Sequence, residues 1–393
     1  MKISTLLNQE LKSSALWTTG LTVLFLLLYG LVNAISDTAI ALPFFVLFYY
    51  LFFAIGRLEV NRIFRTWIDK NSMKVILLPA ILLSLYFLYV LINGQNPVRG
   101  ALALVPYLIL FPILIFAARR NRVQKIDWFD FTAFVLYLLP TLFLEVKPSG
   151  ELPFTGEGFE SLYHIILILS AVYSFGVVRG LNDIGFIPVL NRKYLWTAIW
   201  VWAAFYTLVL LIGYPVNFIR FIGHEIIDLP LVKKIIITLI AIFFHTAIFE
   251  ELFFRGILLN MLTKRIGQAK TWKMFWIIGI ILSIPVALLV GYTLVGKMQW
   301  FPALMTICLF AAAFFLERSN KHQSGVYTGL AITSSIFGLV HYHSHAIIYI
   351  GFACIAGWAY GYTYLKTKNV FYSAIVHTLV NSSVVIFGLE FIK

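Results

Sequence analysis

Long apolar segments recur along this chain, and they restrict its fold more than any other feature. A predominantly apolar segment of about 17 to 25 residues is long enough to cross a bilayer. Because lipid offers no hydrogen-bond partners to the backbone, segments of this length cross it as helices. The sequence therefore predicts an all-α, polytopic transmembrane helix bundle. About thirteen spanning segments begin near Ala15, Ala39, Lys74, Gly100, Trp128, Glu160, Tyr194, Leu231, Lys273, Trp300, Gly325, His345 and Val370.

The composition agrees with a membrane protein. The chain has 393 residues, of which 61% are hydrophobic and only 12% charged; this lies outside the range of soluble domains. Its net charge of +13 would suit a nucleic-acid partner, but the cations lie in short tracts between apolar segments, where they set topology. We therefore expect the lipid bilayer as a partner and no nucleic acid. The cysteines, Cys308 and Cys354, fall inside apolar segments and predict no disulfide framework.

Cationic tracts recur in alternate connections. The positive-inside rule assigns these connections to the cytoplasm, so we expect the N-terminus inside and the C-terminus outside. The first tract also predicts a cationic amphipathic segment lying on the inner leaflet. The tracts lie at about residues 57–74, 119–125, 192–193, 264–273 and 366–368.

The polar residues suggest two domains. Segments up to about residue 180 have almost no polar side chains in their interiors, which predicts an N-terminal helical scaffold over residues 1–180. Residues 147–160, rich in Pro and Gly, predict an exposed loop. Only Glu250 and Glu251 are acids well inside a spanning segment. We therefore expect the chemistry in residues 181–393.

The sequence F-E-E-L-F-F-R-G at residues 249–256 contains these two acids. Ionisable residues at membrane depth are costly and indicate a functional site. Glu251 and Arg255 are four apart on a helix and are expected to form an ion pair. Glu250 points in another direction, free to face a cavity as a general base. The alternative is that both carboxylates only neutralise Arg255.

Polar residues at three later positions can join this base. His377 and Asn381 are four apart and share one helical face. His341 ends an apolar segment, and Phe337, one turn earlier, is expected to pack against its ring. The helical rise places these groups at depths compatible with Glu250. A carboxylate can deprotonate water that an imidazole orients, while a His and an Asn donate to an oxyanion. The set predicts amide hydrolysis without a covalent nucleophile.

Other functions remain open at this point. The H-Y-H-S-H sequence at residues 341–345 could bind zinc, although alternate spacing is not a common ligand pattern. A proton- or ion-coupled transporter would also need buried acids, but we find no internal repeat and no paired broken helices. A non-catalytic immunity or scaffold protein is the third possibility. No H-E-x-x-H, G-x-S-x-G or P-loop sequence occurs.

Three motifs resemble those of the CPBP family of intramembrane proteases. Residues 250–255 resemble its E-E-x-x-x-R motif, residues 337–341 its F-x-x-x-H motif, and residues 377–381 its H-x-x-x-N motif. The family includes the CAAX prenyl endopeptidases and bacterial proteins of bacteriocin self-immunity and abortive infection. The resemblance covers about residues 181–393. Residues 273–316 depart from it as an inserted helical hairpin.

The resemblance implies a multi-pass endopeptidase of a bacterial cell membrane. Its substrate would be a membrane protein or a prenylated, CAAX-type peptide. Glu250 would activate water together with His341, while His377 and Asn381 would stabilise the oxyanion. No cofactor is expected, with zinc as the alternative. The supporting residues of the site would be Glu251, Arg255 and Phe337.

Overall fold

The computed structural model describes residues 3–28, 35–119, 125–143, 150–152, 160–224, 226–269, 271–320, 324–344 and 346–392. Helices account for most of these residues, and the strands form two small two-stranded sheets. The all-α polytopic fold is therefore confirmed. The chain forms two compact units, Met1–Gln124 with Trp128–Val189, and Lys125–Asp127 with Leu190–Lys393. The scaffold and protease roles of residues 1–180 and 181–393 stay predictions.

The first unit contains eight helices and one two-stranded sheet within its described residues. A 3-10 turn at Ser72–Ile76 precedes α4, and wide π-helical turns at Pro106–Leu110 and Val172–Val178 follow α5 and α8. Strands β1 (Glu151–Leu152) and β2 (Glu160–Ser161) pair antiparallel. The helices are α1 (Ile3–Leu28), α2 (Ile35–Ala54), α3 (Leu58–Lys70), α4 (Leu77–Ile92), α5 (Val98–Val105), α6 (Phe111–Arg119), α7 (Trp128–Phe143) and α8 (Leu162–Ala171).

The second unit contains nine further helices within the described residues. Strands β3 (Ile219–Phe221) and β4 (Leu389–Phe391) pair antiparallel and join the connection after α9 to the end of the chain. The helices are α9 (Arg192–Gly213), α10 (Leu229–Ala241), α11 (Ile248–Glu251), α12 (Asn260–Gly267), α13 (Lys273–Thr293), α14 (Phe301–Ser319), α15 (Val326–Leu339), α16 (Ile347–Thr367) and α17 (Val370–Phe387).

Every predicted spanning segment overlaps a helix of the described residues. Nine helical stretches there are long and apolar enough to cross a membrane, and Trp128–Leu139 and Leu162–Val178 are shorter apolar helices. The remaining two predicted segments correspond to α15 and α16, which are largely buried by protein. The count of thirteen spans therefore stays a prediction. The loop predicted at residues 147–160 lies mostly outside the described residues.

The first helix begins earlier than its apolar segment. We predicted a spanning segment from about Ala15, but α1 begins at Ile3. The polar residues of its first turns find partners across the unit. The hydroxyl of Ser14 donates to the carbonyl oxygen of Phe53 at 3.0 Å, and the backbone N–H of Glu59 donates to the Glu10 carboxylate at 2.9 Å. Hydrogen bonding therefore extends the helix beyond the hydrophobic pattern.

Helix α3 occupies the predicted amphipathic segment. Val60 and Ile68 are buried on one face. Nη2 of Arg65, on the same helix, donates to the carbonyl oxygen of Gly176 at 2.6 Å, in the π-helical turn after α8. These contacts hold α3 against its own unit. Its position on the inner leaflet stays a prediction.

Small residues bring α15 and α16 close together. The spacing of Ala353, Gly357 and Gly361 predicts a close-packed helix face. A Cβ added at Gly357 would lie only 2.9 Å from Cα of Ser334 on α15. Since real Cβ atoms essentially never approach that closely, glycine is required for this packing.

The N-terminus of α15 is held by a buried acid. Glu317, near the end of α14, is 4% exposed. Its Oε1 accepts from the N–H groups of Tyr327 and Thr328 at 2.7 and 2.9 Å, and its Oε2 accepts from the N–H of Gly325 at 3.0 Å. The first backbone N–H groups of a helix have no partner within it. Glu317 supplies that partner and so anchors the helix that leads to Phe337 and His341.

Candidate active site

The helix that carries the acidic pair is not regular. Leu229–Gly267 is one helical stretch of 39 residues. Two π-helical segments, Ile242–Ala247 and Leu252–Leu259, lie on either side of the short α-helical stretch α11. Such wide turns occur frequently at functional sites. The sequence does not indicate these segments, because apolar periodicity cannot distinguish a wide turn inside a helix.

Glu251 and Arg255 form the predicted ion pair. Nη1 of Arg255 donates to Oε1 of Glu251 at 3.0 Å, and both side chains are essentially inaccessible. Nη2 of Arg255 donates to the carbonyl oxygen of Gly357 at 3.0 Å. The guanidinium also lies over the ring of Phe337, 4.3 Å from its centroid. The charge is therefore both paired and hydrogen-bonded, as a buried charge must be.

The ring of His377 connects the two carboxylates. Its Nδ1 lies 2.9 Å from Oε1 of Glu251, and its Nε2 lies 3.9 Å from Oε2 of Glu250. An ionised carboxylate can only accept, so Nδ1 carries the proton in the hydrogen bond to Glu251. Nε2 is then directed towards Glu250. The ring also stacks on Tyr360, with centroids 4.6 Å apart.

Glu250 differs from its neighbour in its partners. A quarter of its side chain is accessible, whereas that of Glu251 is fully buried. Its Oε2 is buried and has no hydrogen-bond partner in the described part of the chain. The alternative that both acids serve only to neutralise Arg255 does not account for this oxygen. An unpaired buried carboxylate oxygen requires a functional or solvent partner.

His341 lies where α15 gives way to a 3-10 turn, Val340–Ser344. Its Nδ1 is 2.7 Å from the carbonyl oxygen of Phe337. Because a carbonyl only accepts, Nδ1 donates and Nε2 is the nitrogen left for chemistry. The ring of Phe337 packs 4.8 Å from that of His341 and 5.9 Å from that of His377. The expected contact of Phe337 with His341 is therefore present.

A cavity of about 320 Å³ is lined by three of the four predicted catalytic residues, His341, His377 and Asn381. His377 and Asn381 line it together, as their spacing predicts. The lining of this cavity does not include Glu250, which is linked to it by the ring of His377. The other lining side chains are apolar or aromatic: Phe205, Tyr206, Val209, Phe218, Phe337, Tyr349, Phe352, Ala353, Ala356, Tyr360, Val380 and Phe391.

The donor geometry does not fit a metal ion at this place. In the described ranges, no three His, Cys, Asp or Glu side chains are placed to bind one ion. His343 is exposed, with its Nδ1 3.0 Å from the carbonyl oxygen of Val340. His345, the last histidine of the H-Y-H-S-H sequence, lies outside the described residues. We therefore derive no step through zinc.

Sequence reasoning missed several residues that contact the site. Ser373 lies one turn before His377, and its Oγ is 2.5 Å from Oε2 of Glu251. Tyr360 stacks on His377, and Tyr349 packs 5.9 Å from His341. The spacing of Ser373, His377 and Asn381, each four residues from the next, is the signal that could have revealed Ser373.

Comparisons with known proteins bear on the second unit. Residues 232–321 and 309–383 match the family model described as type II CAAX prenyl endopeptidase Rce1-like. A search of the curated proteins returned no match, and neither did a search of the solved structures. All seven predicted site residues lie within the matched ranges. Together with the apolar helices, this similarity of the second unit to a membrane protease family indicates an integral membrane protein.

Proposed function

We propose that this chain, whose C-terminal region is an Rce1-like domain of the CPBP family, is an intramembrane endopeptidase. Its substrate is a membrane-associated or prenylated, CAAX-type protein, and the attacking group is water activated by a glutamate. The observation that carries the proposal is the unpartnered carboxylate oxygen of Glu250, 3.9 Å from Nε2 of His377. His377 itself lines the cavity shared with His341 and Asn381.

Each residue has a distinct role in this proposal. Glu250 takes a proton from the water, which His341 orients through Nε2, and returns it to the nitrogen of the peptide bond as that bond breaks. His377 and Asn381 donate to the oxyanion of the tetrahedral intermediate. His377 can donate from Nε2 only when both ring nitrogens carry protons, and its Nδ1 is already protonated towards Glu251.

The surroundings of the cavity support a hydrophobic substrate. Apart from the site residues, its lining is apolar or aromatic, which suits the isoprenyl group or apolar side chains of a lipidated peptide. Glu251, Arg255 and Phe337 act as supports, since they hold the histidines by hydrogen bonding and packing. A bacterial cell membrane as location, and a role in bacteriocin immunity, are further proposals from the resemblance.

Replacing Glu250 tests the proposal. We expect Glu250→Gln to lower cleavage of a prenylated CAAX-type peptide by at least about 100-fold, since the amide cannot act as a base. Glu390→Gln makes the same change at an exposed position on β4 and should retain full activity. The folded Glu250→Gln protein should still bind the peptide. Full activity of that variant would rule out the proposed base.

Zinc analysis of the purified protein tests the metal-free mechanism. We propose that purified, active protein contains no stoichiometric zinc. Zinc that is removed together with activity, and restores activity when returned, would establish the metal alternative. Flux of protons or ions through proteoliposomes of the purified protein, without peptide cleavage, would instead indicate a transporter.

A further inference from the structure

We propose that Ser373 is a positioning residue that sets the orientation of His377 through Glu251. The inference rests on the proposed peptidase function and adds a residue to its site. Ser373 is fully buried on α17. Its Oγ lies 2.5 Å from Oε2 of Glu251 and 2.8 Å from the carbonyl oxygen of Tyr360. The hydroxyl has one proton, and the charged carboxylate at the shorter distance is the stronger acceptor.

The bond to Ser373 determines how the Glu251 carboxylate is rotated. The terminal torsion angle of a glutamate side chain has a broad distribution, so the carboxylate alone has no strongly preferred rotation. Oε1 of Glu251 accepts from both Nη1 of Arg255 and Nδ1 of His377, at 3.0 and 2.9 Å. With Oε2 held by Ser373, the carboxylate cannot turn Oε1 away from these two donors. One carboxylate thus connects two successive turns of α17.

The orientation of His377 follows from this connection. Its Nδ1 is held by Glu251, and its face by the parallel ring of Tyr360, at an interplanar angle of 13°. Together these contacts direct Nε2 towards Glu250. If Glu251 rotates, the hydrogen bond that selects the Nδ1 proton weakens, and Nε2 loses its fixed direction. Groups that orient a catalytic imidazole through its other nitrogen act in this way.

Other buried hydroxyls of this unit behave differently from Ser373. Hydroxyls in membrane helices commonly bond back to the carbonyl four residues earlier. Ser334, Thr363 and Ser383 do so, to Leu330, Ala359 and Leu379. The acceptors of Ser373 lie instead on other helices, at Glu251 and Tyr360. Its hydroxyl therefore serves a contact between helices rather than its own backbone.

The helix offers a matched control. Ser382 is also on α17 and 1% exposed, and its hydroxyl has no partner in the described part of the chain. Ser373→Ala and Ser382→Ala therefore make the same chemical change at equal burial on one helix. Only the first removes a hydrogen bond to Glu251. Any difference in kcat between the two variants therefore measures the effect of that hydrogen bond.

The test compares kcat and KM of these variants on a prenylated CAAX-type peptide, together with their melting temperatures. We expect Ser373→Ala to lower kcat by about 10- to 100-fold, by analogy with the loss of hydrogen-bond partners that orient the ligands of metal sites. KM should change by less than about 2-fold, because Ser373 does not line the cavity. Ser382→Ala should retain the wild-type kcat. Equal kcat values for the two variants would overturn the inference.

Two further variants separate positioning from folding. Ser373→Cys keeps the size of the side chain but weakens its donor; a folded Ser373→Cys protein with full kcat would contradict the proposal even if Ser373→Ala does not fold. In a Glu251→Gln background, Ser373→Ala should add little to the loss, since the shared acceptor is already altered. A fully additive loss of kcat in the double variant would also contradict the proposal that Ser373 acts through Glu251. Absence of cleavage by the wild-type protein would overturn the peptidase function instead.

Discussion

At the scale of single residues, Glu251 is the centre of the candidate site. Its carboxylate accepts from Arg255, His377 and Ser373, which suits a charge that is fully buried. The adjacent glutamates therefore differ in their partners, which agrees with the proposal that Glu251 supports the site and Glu250 is the base.

Removal of the buried cation should therefore be costly. We expect Arg255→Met to lower the free energy of unfolding in detergent by about 3 to 5 kcal/mol, because it removes one partner of a buried ion pair. The control is Lys297→Met, which removes a cation at an exposed position after α13. That change should cost less than about 1 kcal/mol. Equal losses of unfolding free energy in the two variants would show that burial of the Glu251–Arg255 pair does not determine its contribution to stability.

At the scale of elements, the site depends on how closely α15 and α16 pack. Gly357 allows this approach, and its carbonyl oxygen also accepts from Nη2 of Arg255. Helix α15 leads to Phe337 and His341, so a displacement of these helices would move the cavity lining. The carboxylates of Glu317 and Asp130 both lie near helix ends and are buried by protein. Asp130 is buried against Arg179, with Nη2 of Arg179 3.1 Å from its Oδ2.

A methyl group at Gly357 should separate the two helices. We expect Gly357→Ala to lower stability by about 1 to 3 kcal/mol, since its Cβ would lie 3.0 Å from the carbonyl oxygen of Ser334 and backbone atoms must move. The control is Gly20→Ala in α1, where nothing lies within 4 Å of the added Cβ. Alanine there should be neutral or stabilising by up to about 1 kcal/mol. Unfolding titrations of both variants in detergent measure the difference.

At the scale of the whole molecule, the basic connections predict which ends of the helices face the cytoplasm. Helix α13 offers a direct test, because its first residue, Lys273, belongs to a basic tract and Lys297 follows the helix. Both side chains are exposed. The positive-inside rule assigns the first to the cytoplasm and the second to the opposite side.

Cysteine labelling measures this orientation. In a background without Cys308 and Cys354, Lys297→Cys should react with an impermeant maleimide in intact cells. Lys273→Cys should react only after the membrane is permeabilised. The reverse pattern would invert the predicted topology, and labelling of both residues in intact cells would show that α13 does not cross.

Local spacing explains which parts of the site were predictable. Glu251 and Arg255 are four residues apart on one helix, and so are His377 and Asn381, so the first pairing and the shared face of the second follow from helical geometry. The hydrogen bond of His377 to Glu251 joins residues 126 apart in the chain. The pattern of apolar residues does not predict whether His377 will contact Glu250 or Glu251. The sequence did not predict the π-helical segments either, because apolar side chains are compatible with both α-helical and π-helical turns.

The sequence alone determined that this chain forms membrane helices, and which few polar residues lie inside them, because the cost of placing charge in lipid depends on residue type and segment length. It also determined the pairs formed within one helical turn. The tertiary structure decided that Glu251 holds His377, that Ser373 joins them, and that Glu250 keeps an oxygen without a partner. Those outcomes depend on the packing of α11, α16 and α17, where shifts of about 1 Å make or break a hydrogen bond.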